Sequence, residues 1–300
     1  AITDGTDEFY EAEDLLEELG EPGVDPGLDT VGLWDGGAMV GFGQLRLGAQ
    51  LRDGRGRISI GGGISQAYRH MGHGTRIMDA LEVRAAQKMA ERHPGMEFTI
   101  DVWGNAPGNS AGRMAVARGY EPARHFQDMS VDRGGFRSRD RPAEAPAKAQ
   151  LLAYSPDLAE DVRLLDNEAF ADHWGSTPKS VEEWESMTNA RSFRSGFSRV
   201  LVDACGSEAA PRALSYVLGA EWVSRELYVS RVGTARYARG RGYAAWVLSD
   251  VVSAAFEAGF TKVDLSVDAQ SPTGATALYE RLGFKAVRQG VLYRKVVAAG

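Results

Sequence analysis

The chain has 300 residues, 43% of them hydrophobic and 25% charged, and a net charge of −7. This is the composition of a globular protein with room for two ordinary domains, and its acidity weighs against a nucleic-acid binder, which carries a basic face. Apolar runs are short and broken by Gly, Arg or Asp, which excludes a helical membrane span, and the single cysteine, Cys205, excludes an intrachain disulfide and a thiol-rich metal site.

Ala1-Ile2-Thr3-Asp4 has no basic start leading into an apolar stretch, so no signal peptide is read and a cytoplasmic location is expected. In the first half a strand is expected at 57–60, followed by Arg69-His-Met-Gly-His-Gly74 and a helix over 75–92. His70 and His73 lie close together there without a third ligand nearby, so no zinc site is expected. A strand at 97–102 and a short helix over 109–118, stopped by Gly119, complete that half. The stretch from Arg133 through Pro146 is rich in Gly, Arg and Pro and lacks periodicity, which reads as an exposed connection. It divides the chain into a first domain of residues 1–135, a linker of 136–149 and a second domain of 150–300.

The second half repeats the grammar of the first. A strand over Glu226–Gly233 runs into Arg239-Gly-Arg-Gly-Tyr-Ala244 and a helix to about Ala258. That helix carries Val247, Leu248, Val251, Val252, Ala255 and Phe256 on one stripe, with Gly259 as its stop. A strand at Lys262–Val267, a helix from Gly274 to Leu282 and a closing strand at Val291–Val297 follow. Cys205 reads as the end of a hairpin strand, with no His motif beside it to make it a nucleophile. The Arg-x-x-Gly-x-Gly/Ala units lie 170 residues apart (69 to 239) and the helix-ending glycines 164 apart (119 to 283), which points to duplication. Alternation of strand and helix gives an α/β or α+β sheet in each half.

Glycines between a strand and a helix let successive backbone N–H groups turn toward one concave spot, where the helix N-terminus adds partial positive charge. The segment Arg239–Ala244, with two arginines in the same turn, therefore reads as a diphosphate cradle. The alternative is a tight strand-to-helix turn that binds nothing. Gly240-x-Gly242-x-x-Ala245 also matches the dinucleotide fingerprint, but only 56 residues follow Ala244, too few for the strand–helix units such a sheet needs.

The loop Arg239-x-x-Gly242-x-Ala244, its counterpart Arg69-x-x-Gly72-x-Gly74, and the segment Ala275-Thr-Ala-Leu-Tyr279-Glu-Arg-Leu-Gly283-Phe284 resemble the GNAT superfamily of acetyl-CoA-dependent N-acyltransferases. The tandem arrangement is similar in layout to the mycothiol synthase-like members of that superfamily, and nothing in these residues names their substrate. The resemblance implies two tandem GNAT-like domains, each a mixed, mostly antiparallel, splayed sheet flanked by helices. It implies acetyl-CoA as acyl donor, bound by Val232, Gly233, Thr234, Arg239, Gly240, Arg241, Gly242, Tyr243, Ala244 and Ser271. The thioester carbonyl would meet the backbone N–H of Val232 or Gly233, and the bare Gly233 would admit a ligand closely.

Tyr279 is the candidate general acid, since a phenol can protonate a leaving thiolate and stay neutral at pH 7. Glu226, thirteen residues before Arg239, is the candidate general base, with Glu221 as a weaker substitute; Glu226 also reads as a surface partner of Arg225. The first half has Gly56 and Ala115 where these roles would fall, so it reads as a degenerate domain. The segment of about 157–198, with Asp172, His173, Trp174 and Trp184, is expected to cover the acceptor pocket. Asp172, His173 and Trp174 suit a cationic amine, or alternatively the tryptophans staple helices while Asp172 caps a turn. The expected activity is acetyl transfer to the primary amine of a small molecule, by direct transfer in the second domain. A silent acyl-CoA-binding sensor and an aminoacyl-tRNA-dependent transferase of related fold are the alternatives; the composition gives no partner surface for nucleic acid or membrane.

Overall fold

The computed structural model describes residues 12–21, 23–104, 108–143, 145–203, 212–271 and 274–299, so the expectation for Cys205 lies outside the described residues. No helix among them is long and apolar enough to cross a membrane. The chain forms two compact units, one of Ala1–Phe126 with Arg288–Gly300 and one of Gln127–Val287.

Unit 1 contains α1 (Ala12–Leu19), β1 (Thr30–Asp35), β2 (Ala38–Leu47), β3 (Gly56–Ile64), α2 (His73–Arg92), β4 (Phe98–Gly104) and α3 (Ser110–Ala117). Glu121–Asp132 forms β5, whose residues from Gln127 belong to unit 2. Unit 2 continues with β6 (Ala149–Ala153), α4 (Ala159–Ala169), α5 (Val181–Asn189), β7 (Arg199–Asp203), β8 (Arg212–Val223), β9 (Glu226–Thr234), α6 (Tyr243–Glu257), β10 (Lys262–Asp268) and α7 (Ala275–Arg281). Lys285–Val297 is β11, and from Arg288 it belongs to unit 1.

In unit 1 the strands run in the order β1-β2-β3-β4-β11, with only β3 and β4 parallel. In unit 2 the order is β5-β10-β9-β8-β7-β6, with β9 and β10 parallel and β6 through β9 antiparallel. Two mixed sheets, each with one parallel pair, are the expected fold class. The parallel pair in each is bridged by the longest helix of its unit, α2 or α6, as a crossover requires. On α6 the expected stripe is buried: Val247, Leu248, Val251, Val252 and Ala255 are each 0% exposed. Burial of such side chains stabilises by roughly 1.5–3 kcal/mol each for the larger ones. Helix α5 starts at a capping box, in which the Ser180 hydroxyl accepts from the Glu183 N–H and Glu183 accepts from the Ser180 N–H.

The division of the chain differs from the sequence expectation in two places. The C-terminal strand was expected in the second domain, yet Val291–Val297 pair with Gly104–Phe98 of β4 in unit 1. Val291 and Tyr293 are buried in the unit 1 core, and Arg294 makes a bidentate pair with the buried Asp101 (2.6 and 2.7 Å). The segment expected as a free linker is instead tied down within unit 2. The Arg133 guanidinium donates to the carbonyl of Phe256, the Arg137 N–H to Leu282 O (2.9 Å) and the Arg139 N–H to Ser249 Oγ (2.8 Å). Periodicity cannot reveal such contacts, because they use backbone carbonyls and long arginines rather than an apolar stripe.

The repeat is visible in geometry as well as in sequence. Tyr120 N–H donates to Ala115 O and Phe284 N–H to Tyr279 O after left-handed glycines at Gly119 (φ 80°) and Gly283 (φ 95°). At Gly283 the demand is double, since a Cβ there would stand 2.0 Å from the carbonyl oxygen of Gly135, whereas at Gly119 it would meet nothing within 4 Å. Gly119→Ala is expected to cost about 1–2 kcal/mol, the penalty for a left-handed alanine. Gly283→Ala carries that penalty plus a backbone collision and is expected to cost about 1–3 kcal/mol more. Denaturant unfolding of the two variants measures this, and equal losses would contradict the packing of 133–137 against the end of α7.

Candidate active site

The parallel pairing of β9 with β10 runs from Glu226↔Lys262 to Val229↔Leu265 and stops, although β9 continues to Thr234 and β10 to Asp268. The two strands therefore part over their last residues. On its other edge β9 stays paired with β8, through Ser215↔Thr234, Tyr216↔Gly233, Val217↔Val232 and Leu218↔Arg231. Ala235 N–H donates to Leu214 O (2.9 Å), which marks that opposed pair as hydrogen-bonded. Alternation along an antiparallel ladder then turns Gly233 and Arg231 toward β8, and Val232 and Thr234 away from it. The N–H groups of Val232 and Thr234 thus face the gap left by β10. Of the two expected carbonyl-binding positions, Val232 has the right direction and Gly233 does not.

The space over Gly233 is also not open to a ligand. A Cβ there would lie 2.3 Å from Tyr216 Cε1, so the glycine makes room for the Tyr216 ring. Tyr216 is fully buried and its hydroxyl donates to Asp166 of α4, whose carboxylate also receives the Arg231 guanidinium (2.6 and 2.7 Å). Burial, with the Asp166 carboxylate beside it, pushes the Tyr216 phenol well above its usual range. Arg231 stacks over Phe170, its guanidinium carbon 4.4 Å from the ring centre. Sequence reading missed this cluster. Its signal was present, as a carboxylate on the apolar Val162/Leu165 stripe of α4 and an arginine inside an apolar strand.

Beyond the gap the chain turns through a 3-10 turn at Arg236–Ala238 into the glycine loop. Gly240 and Gly242 are left-handed (φ 77° and 78°), and Gly242 caps α6 without a side-chain bond. The first bond of the helix runs from Trp246 N–H to Gly242 O (3.1 Å), so the N–H groups of the first turn, Tyr243, Ala244 and Ala245, are presented outward. Unit 1 repeats this geometry at Gly72 (φ 81°), with Arg76 N–H donating to Gly72 O. Its β3–β4 pairing also stops early, at Ile60↔Val102.

Arg239 does not aim its side chain at the cradle. Its guanidinium donates to Thr234 O (3.3 Å) and to Ala169 O at the end of α4 (2.9 Å), and Arg69 makes the equivalent bond to Ile64 O (3.1 Å). The motif arginine is a brace that fixes the loop against its own strand. Arg241 is exposed on the loop, and Tyr243 is 2% exposed with a buried hydroxyl that has no partner among the described residues. Ser271 follows β10, its N–H on Asp268 O (3.0 Å).

Tyr279 sits on α7, 8% exposed, edge-on to Phe284 at 6.0 Å between ring centres. Burial pushes its phenol up to about 12. Glu226 is not brought to the site. It lies at the opposite end of β9 from the gap, six residues from Val232, or roughly 20 Å along an extended strand. Its carboxylate is paired with Lys262 (3.0 Å), which also holds Asp264. Glu221 is engaged by Arg194 (2.8 Å) and the Arg225 N–H (2.9 Å). A strand that alternates correctly says nothing about which of its ends carries the chemistry, and the spacing argument for Glu226 fails for that reason.

On the acceptor side, Trp184 is 1% exposed and donates to Tyr154 Oη (2.9 Å), a core staple. Asp172 pairs with Arg236 (2.6 Å), whose own N–H donates to Glu168 (3.0 Å), and the His173 ring lies against Phe170. The end of α4 is thereby stitched to the end of β9 and to the loop.

The loop, the first turn of α6 and the parted strands lie in one stretch of family-like sequence. Residues 161–284 match the acetyltransferase (GNAT) family model. The chain is 27% identical to a mycothiol acetyltransferase of Clavibacter sepedonicus over 237 residues, covering 77% of this chain and 71% of that protein. It is 28% identical to one of Salinispora tropica over 239 residues, covering 74% and 67%. Among solved structures, a GCN5-related N-acetyltransferase from Sphaerobacter thermophilus superposes with a TM-score of 0.72 at 26% identity, over 97% of this chain and 87% of the other. A tandem GNAT protein from the clavulanic acid biosynthesis pathway shares the fold, with a TM-score of 0.59 at 18% identity over 91% and 84%. With its loop, parted strands and matched segment all in unit 2, the chain belongs to the GNAT family of N-acetyltransferases.

Proposed function

We propose that unit 2 transfers an acetyl group from acetyl-CoA to a primary amine of a small molecule, directly and without a covalent enzyme intermediate. The observation that supports this most is the gap between β9 and β10 opening onto the first turn of α6. An anionic diphosphate suits the outward N–H groups of Tyr243, Ala244 and Ala245, and the thioester arm then extends along β9 to the Val232 N–H. The mycothiol acetyltransferase relatives make a mycothiol-related amine the first acceptor to test.

The amine nitrogen attacks the thioester carbon while Val232 N–H carries the charge that develops on oxygen. The C–S bond then breaks and the sulfur leaves as a thiolate. Tyr279 assists by donating a hydrogen bond to that sulfur. Full proton transfer from a phenol near 12 to a thiolate, whose conjugate thiol lies around 8.5, would run uphill. The proton lost by the amine goes to water, since Glu226 and Glu221 are bound elsewhere.

A mass-spectrometric screen of amine mixtures with acetyl-CoA is expected to find an acetylated product together with free CoA. Gly242→Glu, which puts a carboxylate at the diphosphate position, is expected to lower kcat/KM for acetyl-CoA on the order of a hundredfold. Full activity in that variant would sink the loop assignment.

Tyr279→Phe is expected to lower kcat about a hundredfold with little change in KM for acetyl-CoA, as for loss of a group that acts in the transition state. A phenol at about 12 also stays protonated through ordinary assay conditions, so no fall in wild-type rate from its ionisation is expected below about pH 10. An alkaline limb near pH 8 that disappears in Tyr279→Phe would show instead that this residue titrates and transfers a proton.

A further inference from the structure

The segment 133–142 runs along α6 and α7 and forms one wall of an open pocket of about 330 Å³. The segment contributes Arg139, Asp140 and Pro142 to this pocket, α6 contributes Gly242 and Ala245, and α7 contributes Leu278, Arg281 and Leu282. The pocket therefore shares Gly242 with the glycine loop. Pro142 stands against it, 3.4 Å from where a Cβ of Gly242 would be. The segment is held in place independently of any ligand. The Arg139 N–H is bonded to Ser249 Oγ, the Arg139 guanidinium to Arg281 O (3.2 Å), and the Arg137 N–H to Leu282 O.

We infer that this pocket receives the adenosine 3′-phosphate end of the donor, and that Arg139 and Arg281 make the chain selective for a 3′-phosphorylated CoA. The inference rests on the acetyl-CoA reading of the loop. A donor whose diphosphate lies on the first turn of α6 and whose thioester arm enters the strand gap must carry its nucleoside away on the other side. Pro142, Ala245, Leu278 and Leu282 offer that side an apolar surface suited to a flat base. Two guanidinium groups at the rim suit a phosphate, for which arginine supplies paired donors. Asp140 is the one carboxylate lining the pocket; it fits a ribose hydroxyl, and the two arginines outweigh it for an anion. Arg139 and the rest of the 133–142 wall lie outside the residues that match the family model, so these contacts belong to this chain's own connecting segment.

The test compares kcat/KM for acetyl-CoA and for acetyl-3′-dephospho-CoA with a fixed mixture of primary amines, followed by release of the thiol. The wild-type chain is expected to prefer the 3′-phosphorylated donor by about tenfold or more, the scale of a lost charge-assisted contact. In Arg281→Ala that ratio is expected to fall to within about twofold of one. This variant keeps the backbone carbonyl that Arg139 binds, so the wall stays attached. Arg139→Ala, checked by its melting temperature, is expected to lower the ratio too, and Arg281→Lys to restore part of it. A wild-type ratio near one, or a full ratio retained in Arg281→Ala, overturns the inference while leaving acetyl-CoA turnover intact. Absence of turnover with acetyl-CoA overturns the donor reading itself, and this inference with it.

Discussion

The parting of two parallel strands after Val229 and Leu265 is the constraint on which unit 2 is organised. Each strand in a sheet interior must place its N–H and C=O groups against a neighbour or against something that replaces it. From Val229 onward β9 keeps one neighbour, β8, and gives up the other. The bonds to β8 fix its direction, so Val232 and Thr234 turn their polar groups toward the vacated side. An extended molecule rich in amide groups satisfies such an edge as a strand would. The left-handed glycines then follow as a necessity. The chain has to leave β9 and start α6 within a few residues, and only a left-handed turn at Gly240 and Gly242 brings the helix N-terminus to the mouth of the same gap.

A gap in a sheet is a weakness unless its walls are held. The holding is done behind β9, where α4 is attached along its whole last turn. Asp166 receives Arg231 and Tyr216, Glu168 receives the Arg236 N–H, Ala169 receives Arg239, and Asp172 receives Arg236. The Asp166 cluster is buried on the Tyr216 side, where leaving any one partner unpaired is costly. Every one of these bonds reaches β9 or the turn that follows it. The arrangement couples the acceptor-side helix to the strand that aims the Val232 N–H, so the two substrates' binding surfaces share a single frame.

Much of this was legible in the sequence, for identifiable reasons. Apolar stripes at 3.6-residue spacing gave α6 within a residue at each end, and glycines that stop helices gave the repeat. Glycine is informative because few residues replace it at positive φ. The cradle was legible at Gly240 and Gly242 for the same reason. Other features depend on pairing between distant segments and leave no local trace. Gly233 reads as a place for a ligand until the Tyr216 ring, seventeen residues earlier, is seen to fill it. Glu226 reads as an acid on the right strand until the pairing places it at the far end with Lys262. The last strand reads as the end of the second half, yet Tyr293 packs over Gly104 and Gly112 of unit 1, a partnership some 180 residues apart in the chain.

The fate of Glu226 bears on how the proposed reaction is driven. The carboxylates at the end of α4 are committed to Arg231, Arg236 and backbone N–H groups, and accepting a proton would cost them these charge-assisted bonds. Glu226 and Glu221 are equally committed, at the other end of the strand. On the proposed reading, the protein's contribution is then positioning and polarisation of the carbonyl, with Tyr279 meeting the departing sulfur. Both effects are of a size to sustain catalysis, since orienting two reactants and stabilising one developing oxyanion each account for several kcal/mol in acyl transfer. A site of this kind depends on the acceptor arriving as the neutral amine. Its rate should therefore follow the ionisation of that amine, falling at low pH with the pKa of the acceptor and not with that of any side chain in unit 2.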